Sequence, residues 1–138
     1  MSCVRFTTDA MRQQLFLAVA DDQPVAQFLS PAITESKVRR IVTMSKSDNY
    51  KIRESAALSY HAPEAVYAFL AVDNVQSVRE CVARNHIVSE SILRLLATDS
   101  SERVRAFVAC HPRLPEDTRH LLLADPSELV RAIAETPR

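Results

Sequence analysis

The chain of 138 residues contains no glycine, where an average sequence of this length would contain about ten. Glycine is needed wherever the backbone turns tightly or approaches a ligand closely. Its absence excludes a Walker phosphate loop, a dinucleotide-binding fingerprint and the Gly-x-Ser-x-Gly nucleophile elbow. It also disfavours the two-residue hairpins that join β-strands. Turns must be made by proline, Asn, Asp and Ser, and the sequence predicts an all-α protein.

Cysteine pairs, long apolar runs and an excess of one charge are also missing from the sequence. Cys3, Cys81 and Cys110 are odd in number and widely separated, which is not the pattern of a disulfide framework or a paired zinc motif. We expect reduced thiols in a cytoplasmic protein. No run approaches the roughly 20 apolar residues that span a bilayer, so no membrane segment is predicted. Lys plus Arg equals Asp plus Glu at 17 each, which disfavours binding to nucleic acid or to an anionic membrane.

The sequence does contain a repeat with a constant interval of 26 residues. Each unit has an arginine, an alanine four residues later, a Pro/Ser-Glu pair at ten and eleven, a leucine at seventeen and an aspartate at twenty. The series are Arg53, Arg79, Arg105, Arg131; Ala57, Ala83, Ala109; Leu70, Leu96, Leu122; and Asp73, Asp99, Asp125. A fixed interval with fixed internal spacing is typical of stacked-repeat proteins.

One unit predicts two helices. Asp99 and Glu102 have the spacing of a capping box, and an apolar stripe at helical spacing follows over 104–108. His111-Pro112 ends that helix, and Pro115 opens a second one at its first turn. The clearest apolar positions of the second helices are Val66, Phe69, Leu70 and Ile92, Leu95, Leu96. A hairpin this small cannot bury its own apolar faces, so we expect the units to stack.

The run from Asp99 through Arg105, Ala109 and His111-Pro112 to Pro115 resembles the variant leucine-rich repeat, a family of HEAT-like α-solenoids. The predicted fold is a right-handed α-solenoid of about five stacked helical hairpins. Some members of the family carry an N-terminal cysteine cluster for an iron–sulfur centre. Only Cys3 lies in that region here, so that cofactor is not carried over and no cofactor is expected.

The domain prediction is a single helical-repeat domain over 1–138. Its regular repeats cover about 48–134, and a degenerate N-terminal cap covers about 1–47. Arg12 and Val38-Arg39 resemble degenerate copies of the repeated arginine position. Pro24 followed by Phe28-Leu29 resembles the start and apolar face of a second helix. Because 14 residues separate Arg39 from Arg53, a second helix is missing between them.

The repeated arginines have two interpretations. They could form a basic ladder for an anionic partner, or each could bond an aspartate and tie adjacent units together. A binding surface usually varies from unit to unit, so the constant spacing favours the structural ladder. Its predicted members are Arg53, Arg79, Arg105, Arg131, Asp73, Asp99 and Asp125, with Asp48 as a further candidate. We expect Arg79 and Arg105 to be partly buried against aspartates.

No catalytic or metal site is predicted. His111 shares its unit position with Asn85 and Ser59, where polar residues commonly satisfy backbone carbonyls. Cys110, Cys81 and His120 lack the short paired spacing of zinc ligands, and Cys81 is expected to face the core. The glutamates at the start of each second helix interact favourably with the positive end of the helix dipole, so no catalytic role is needed to explain them. These are Glu64, Glu90 and Glu116.

Positions that vary between units are the better candidates for function. On the second helices the varied positions include Tyr67, Arg94, Arg119 and His120, and aromatic and arginine side chains are common binding hot spots. They predict a non-enzymatic module that binds another protein through one helical face. One alternative is a nucleic-acid-binding or DNA-repair-type helical repeat, although a chain without tryptophan lacks its stacking platform. The other alternative is a small inhibitor or immunity-type protein.

Overall fold

The computed structural model describes residues 33–137, and the structural statements below concern that range. It contains eight α-helices and no strand, which confirms the all-α prediction. The helices are α1 (Glu35–Ser45), α2 (Tyr50–Ala57), α3 (Glu64–Leu70), α4 (Gln76–Arg84), α5 (Glu90–Leu96), α6 (Glu102–Ala109), α7 (Glu116–Leu123) and α8 (Glu128–Glu135). None of them is long and apolar enough to cross a membrane. The predictions for Cys3, Arg12 and the segment 24–29 lie outside the described residues.

The helices pack in a repeating order. The first helices α2, α4, α6 and α8 pack on one another in chain order, and each second helix contacts the first helix of its own unit and of the next one. A short turn over 46–49 joins α1 directly to α2, so no second helix lies between Arg39 and Arg53, as their spacing predicts. Helix α1 packs against α2 and α3 in that place.

The core is built from the same positions in every unit. Helices α2 to α8 have seven to nine residues, which is too short for stability in isolation. Their stability therefore comes from burial of apolar side chains between units. The fully buried sets are Val78, Val104, Val130; Leu70, Leu96, Leu122; and Ala57, Ala83, Ala109. The alanines bring the backbones close because their side chains are small.

The first helices begin two residues later than the capping-box pattern predicts. Helix α6 begins at Glu102 with Ser101 as its N-cap, and Asp99 lies outside the helix. The Asp99 carboxylate accepts a hydrogen bond from the Ser101 N–H at 2.8 Å. Asp73 and Asp125 make the same contact two residues downstream. The aspartates form Asx-turns before the helices, and the capping-box prediction was wrong.

A row of polar side chains joins the units where the first helices end. Asn85 is buried and donates from Nδ2 to the carbonyls of Ala57 at 2.8 Å and Ser59 at 2.9 Å. His111, also buried, accepts at Nδ1 from the Arg113 N–H, so its Nε2 carries a hydrogen and donates to the Asn85 carbonyl at 3.0 Å. In this Ser59–Asn85–His111 row, the side chains of Asn85 and His111 bond backbone carbonyls of the preceding unit, as expected for polar residues at that position, and Ser59 contributes its carbonyl as an acceptor.

We predict that Asn85→Ala destabilises the protein by about 2–3 kcal/mol, because it leaves the buried Ala57 carbonyl and the Ile87 N–H without their partner. The free energy of unfolding in urea measures the effect. Asn74→Ala is the matched control, since Asn74 is exposed in the loop before α4. Equal stability of the two variants would show that the row contributes nothing.

Candidate functional site

Three of the repeated arginines bind an aspartate carboxylate through Nε and Nη2 and a backbone carbonyl through Nη1. Arg79 donates from Nε to Asp99 Oδ2 at 2.8 Å and from Nη2 to Oδ1 at 3.2 Å. Its Nη1 donates to the Asp73 carbonyl at 2.7 Å. The same pattern joins Arg53 to Asp73 and Arg105 to Asp125. The carboxylate partner thus lies twenty residues downstream, and the residue six upstream supplies a backbone carbonyl.

These pairs are held in a partly desolvated setting. The side chains of Arg79 and Asp99 are 14% and 8% exposed, which agrees with the expected burial against aspartates. Arg131 repeats the carbonyl contact by donating from Nη1 to Asp125. Since the guanidinium donors of Arg53, Arg79 and Arg105 are used within the fold, these three residues do not form a basic surface for an anionic partner.

The environment lowers the pKa of two of the paired aspartates. Burial by itself raises the pKa of the Asp73 carboxyl, but hydrogen bonds from Arg53 and from the Val75 N–H, with the charges of Arg53 and Arg79, outweigh it. The pKa of Asp73 therefore lies below its ordinary value. For Asp125 the same balance of burial against Arg105 and the Ser127 N–H also lowers the pKa.

Two of the four predicted contact residues do not lie free on the surface. Tyr67 is only 3% exposed, and its hydroxyl donates to the Ser59 carbonyl. Its inclusion in a binding face is corrected, because its position points into the core, as the fully buried Leu93 at the same position of α5 does. Arg119 is half-buried and donates to the carbonyls of Ala134 and Thr136. It therefore secures the end of α8.

The other two predicted contact residues are exposed on the second helices. Arg94 bonds Asp117 of α7 at 3.0 Å and Glu90 of its own helix at 3.3 Å. His120 lies 3.7 Å from Glu116, one turn earlier. Arg94 and His120 occupy equivalent positions, so the structure brings them to the same side of adjacent second helices.

Sequence reasoning missed an exposed apolar column on the same face. Phe69, Leu95 and Leu121 have the spacing of packing residues, yet they are 53%, 47% and 52% exposed. On each second helix the inward positions are already filled by other residues of the apolar pattern, such as Leu96 on α5. A helix of seven or eight residues buries only a few apolar positions on its inner face. Each second helix has one apolar position beyond that number, and this recurring excess is the signal that could have identified the apolar column.

Each member of the apolar column borders an open hollow. Phe69 lines one of about 360 Å³, Leu95 one of about 400 Å³ and Leu121 one of about 300 Å³. An arginine–aspartate pair lines the same hollow in every unit: Arg53–Asp73, Arg79–Asp99 and Arg105–Asp125. The three hollows thus share one construction, with an apolar side chain beside a neutralised ion pair.

Within 33–137 no three His, Cys, Asp or Glu side chains are grouped so as to hold a metal ion. Cys81 is buried, as expected, and burial raises the pKa of its thiol. Cys110 is exposed. Glu64, Glu90 and Glu116 are exposed in the first turns of the second helices, where they favour the helix dipole.

No protein-family model, no curated protein and no solved structure matches this chain. The comparisons therefore supply no relative whose function could be transferred to it. The resemblance to the variant leucine-rich repeat rests on the residue spacing described above, and it stays a prediction.

We predict that Asp99→Asn destabilises the protein by about 2–3 kcal/mol, because the Arg79 guanidinium then lies partly buried without its counter-charge. Chemical unfolding measures the change. Asp117→Asn removes a carboxylate from the exposed Arg94–Asp117 pair, whose side chains are 46% and 65% exposed, and should leave stability nearly unchanged. A loss of similar size in both variants would contradict the role of burial.

We also predict acid sensitivity. Because the folded pKa values of Asp73 and Asp125 are lowered, their stabilising contribution is fully present above the unfolded value of about 3.9 and is lost as the pH falls through the folded values. Free energies of unfolding from pH 7 to pH 3 should fall less steeply for Asp73→Asn than for the wild type. The exposed Asp48→Asn is the control, and equal pH dependence in both variants would refute the assignment.

Proposed function

We propose that this protein is a non-enzymatic interaction module that binds another protein through the outer face of α3, α5 and α7. The proposal includes the finer architecture: a right-handed α-solenoid of about five stacked units, of the variant leucine-rich repeat or HEAT-like type. Cytoplasmic location is part of it, because the cysteines are not arranged as a disulfide framework.

The observation that carries the proposal is the apolar column. Three half-exposed large apolar side chains recur at one position of three adjacent second helices, each beside an open hollow. A contiguous apolar line on a protein surface is typical of a protein-interaction site. Full burial of an exposed leucine is worth about 1.5–3 kcal/mol, and burial of the remaining half of Leu95 by a partner therefore contributes about half of that.

The positions that flank the apolar column would supply specificity. On one side they are Ala68, Arg94 and His120, and on the other Val72, Thr98 and Ala124. The flanking positions are therefore apolar at α3, and they include an arginine at α5 and a histidine at α7. A partner segment that matches this gradient can lie across the face in only one direction.

The same face disfavours the nucleic-acid alternative. Glu90, Glu116 and Asp117 are exposed on the same helices as the apolar column, and the arginines of the hollows are neutralised by aspartates. A phosphate backbone requires uncompensated cations along its path. An inhibitor or immunity-type protein would use the apolar column in the same way, with an enzyme as its single partner.

We predict that Leu95→Asp raises the dissociation constant for the partner about tenfold or more, because it places a charge in the centre of the apolar column. The full-length chain is immobilised, proteins retained from host lysate are identified, and the strongest candidate is purified for titration. The exposed Leu129→Asp on α8 is the matched control and should bind like the wild type.

The double variant Arg94→Ala/His120→Ala tests the flanking positions and should weaken the same complex by a smaller factor. The wrong face is indicated if Leu129→Asp disrupts the complex and Leu95→Asp does not. The class itself is wrong if purified wild-type protein binds no retained protein but turns over a substrate, or if it binds DNA in a salt-dependent manner.

A further inference from the structure

A second candidate site lies where α2, α4 and α6 end, away from the apolar column. A hollow of about 330 Å³ opens there between three consecutive units. Its lining includes Leu58, Tyr60, Arg84, His86, Phe107 and Cys110. The volume suits a small ligand or one large side chain.

The residues of the hollow stand at positions that vary between units. Leu58, Arg84 and Cys110 are equivalent in the repeat, and so are Tyr60 and His86. Asn85 and His111 of the polar row beneath them are buried and bonded to backbone groups, so the outer positions can change without altering the fold. Such variation above a fixed support is typical of a binding surface.

Aromatic rings form the walls of the hollow. The Arg84 guanidinium lies over the Phe107 ring, with 5.5 Å between its central carbon and the ring centroid. The His86 ring meets the buried His111 ring edge-on, with 6.2 Å between centroids. Tyr60 is 60% exposed at the rim. A planar ligand ring can therefore stack on an aromatic side chain or on the outer face of the guanidinium.

The charge in the hollow is uncompensated. Arg53, Arg79 and Arg105 each bond a carboxylate, whereas Arg84 contacts the Phe107 ring and has no carboxylate partner among the described residues. Glu80, one turn upstream of Arg84, is bonded instead to Arg103 and Gln76. No Asp or Glu lines the hollow. The guanidinium donors are thus available to an anion from outside.

The surroundings limit the size of that anion. The second helices begin at the same end of each hairpin at which the first helices finish, and they carry the exposed Glu64, Glu90 and Glu116 there. A polyanion that runs along this edge would meet those carboxylates. A ligand with one anionic group, seated at Arg84, would avoid them.

We propose that this hollow binds an aromatic ring that carries one anionic substituent, a carboxylate or a phosphate. The anion accepts hydrogen bonds from the fork of Arg84, which matches the geometry of both groups. The ring packs against Phe107 and Tyr60. The ligand is either a free small molecule or an aromatic side chain of that chemistry in a peptide, such as phosphotyrosine. This site does not depend on the protein partner proposed above.

Titration of the labelled full-length chain with phenyl phosphate and benzoate, followed by NMR, tests the proposal. Phenyl phosphate should bind about tenfold more tightly than inorganic phosphate or phenol, with the largest shifts at Tyr60, Arg84 and His86. A phosphotyrosyl pentapeptide that binds more tightly than phenyl phosphate identifies a peptide as the source. Equal affinities identify a free small molecule.

Variants separate the two parts of the ligand. Arg84→Gln should raise the dissociation constant of phenyl phosphate about tenfold, and Arg40→Gln, an exposed arginine on α1, should not change it. Phe107→Ile, which places the residue found at the equivalent Ile133, should weaken phenyl phosphate and leave inorganic phosphate unaffected. Cooperative unfolding transitions show that both variants fold.

Three results would overturn the proposal. The first is phenyl phosphate that binds no more tightly than inorganic phosphate. The second is equal affinity of Arg84→Gln and Arg40→Gln for phenyl phosphate. The third is a single-stranded oligonucleotide that outcompetes all the aryl anions, which would make the hollow part of a nucleic-acid site.

Discussion

The bidentate arginine–aspartate pair is the interaction on which the rest of this structure depends. The helices are too short to persist alone, so each must be held by its neighbours. Arg79 joins the loop before its own helix, through the Asp73 carbonyl, to the loop before the next first helix, through the Asp99 carboxylate. The same carboxylate also accepts the Ser101 N–H. With every partner supplied, a partly buried ion pair can define how one unit follows another.

The Ser59–Asn85–His111 row links adjacent units at the other ends of the first helices. Both ends of each first helix are therefore held by side-chain contacts to an adjacent unit, and the apolar core lies between them. Residues at outward-facing positions make few of these contacts between units. The apolar column consists of such positions, and so do Leu58, Tyr60, Arg84 and His86 of the Arg84 hollow.

Much of this organisation could be predicted from the chain alone, and the exceptions have physical causes. The spacing of Asp99 to Glu102 predicts an aspartate at the N-cap, but Arg79 binds the Asp99 carboxylate and the residue lies before the helix. Tyr67 varies between units as a surface residue would, yet its hydroxyl finds the Ser59 carbonyl and its ring is buried. Arg84 and Phe107 are 23 residues apart in sequence, and no local pattern pairs them.

The sequence by itself determined the helical class, the 26-residue unit, the loop positions and the side chains that hold the units together. These features recur at a fixed interval because every unit must pack against its neighbours in the same way. A fixed interval can be read directly from the amino-acid sequence. Only the tertiary structure decided which apolar side chains remain exposed, which aspartate each arginine binds and which varied residues meet across units. Those outcomes depend on the area that each neighbour covers and on the direction of each side chain, and neither is encoded in the spacing along the chain.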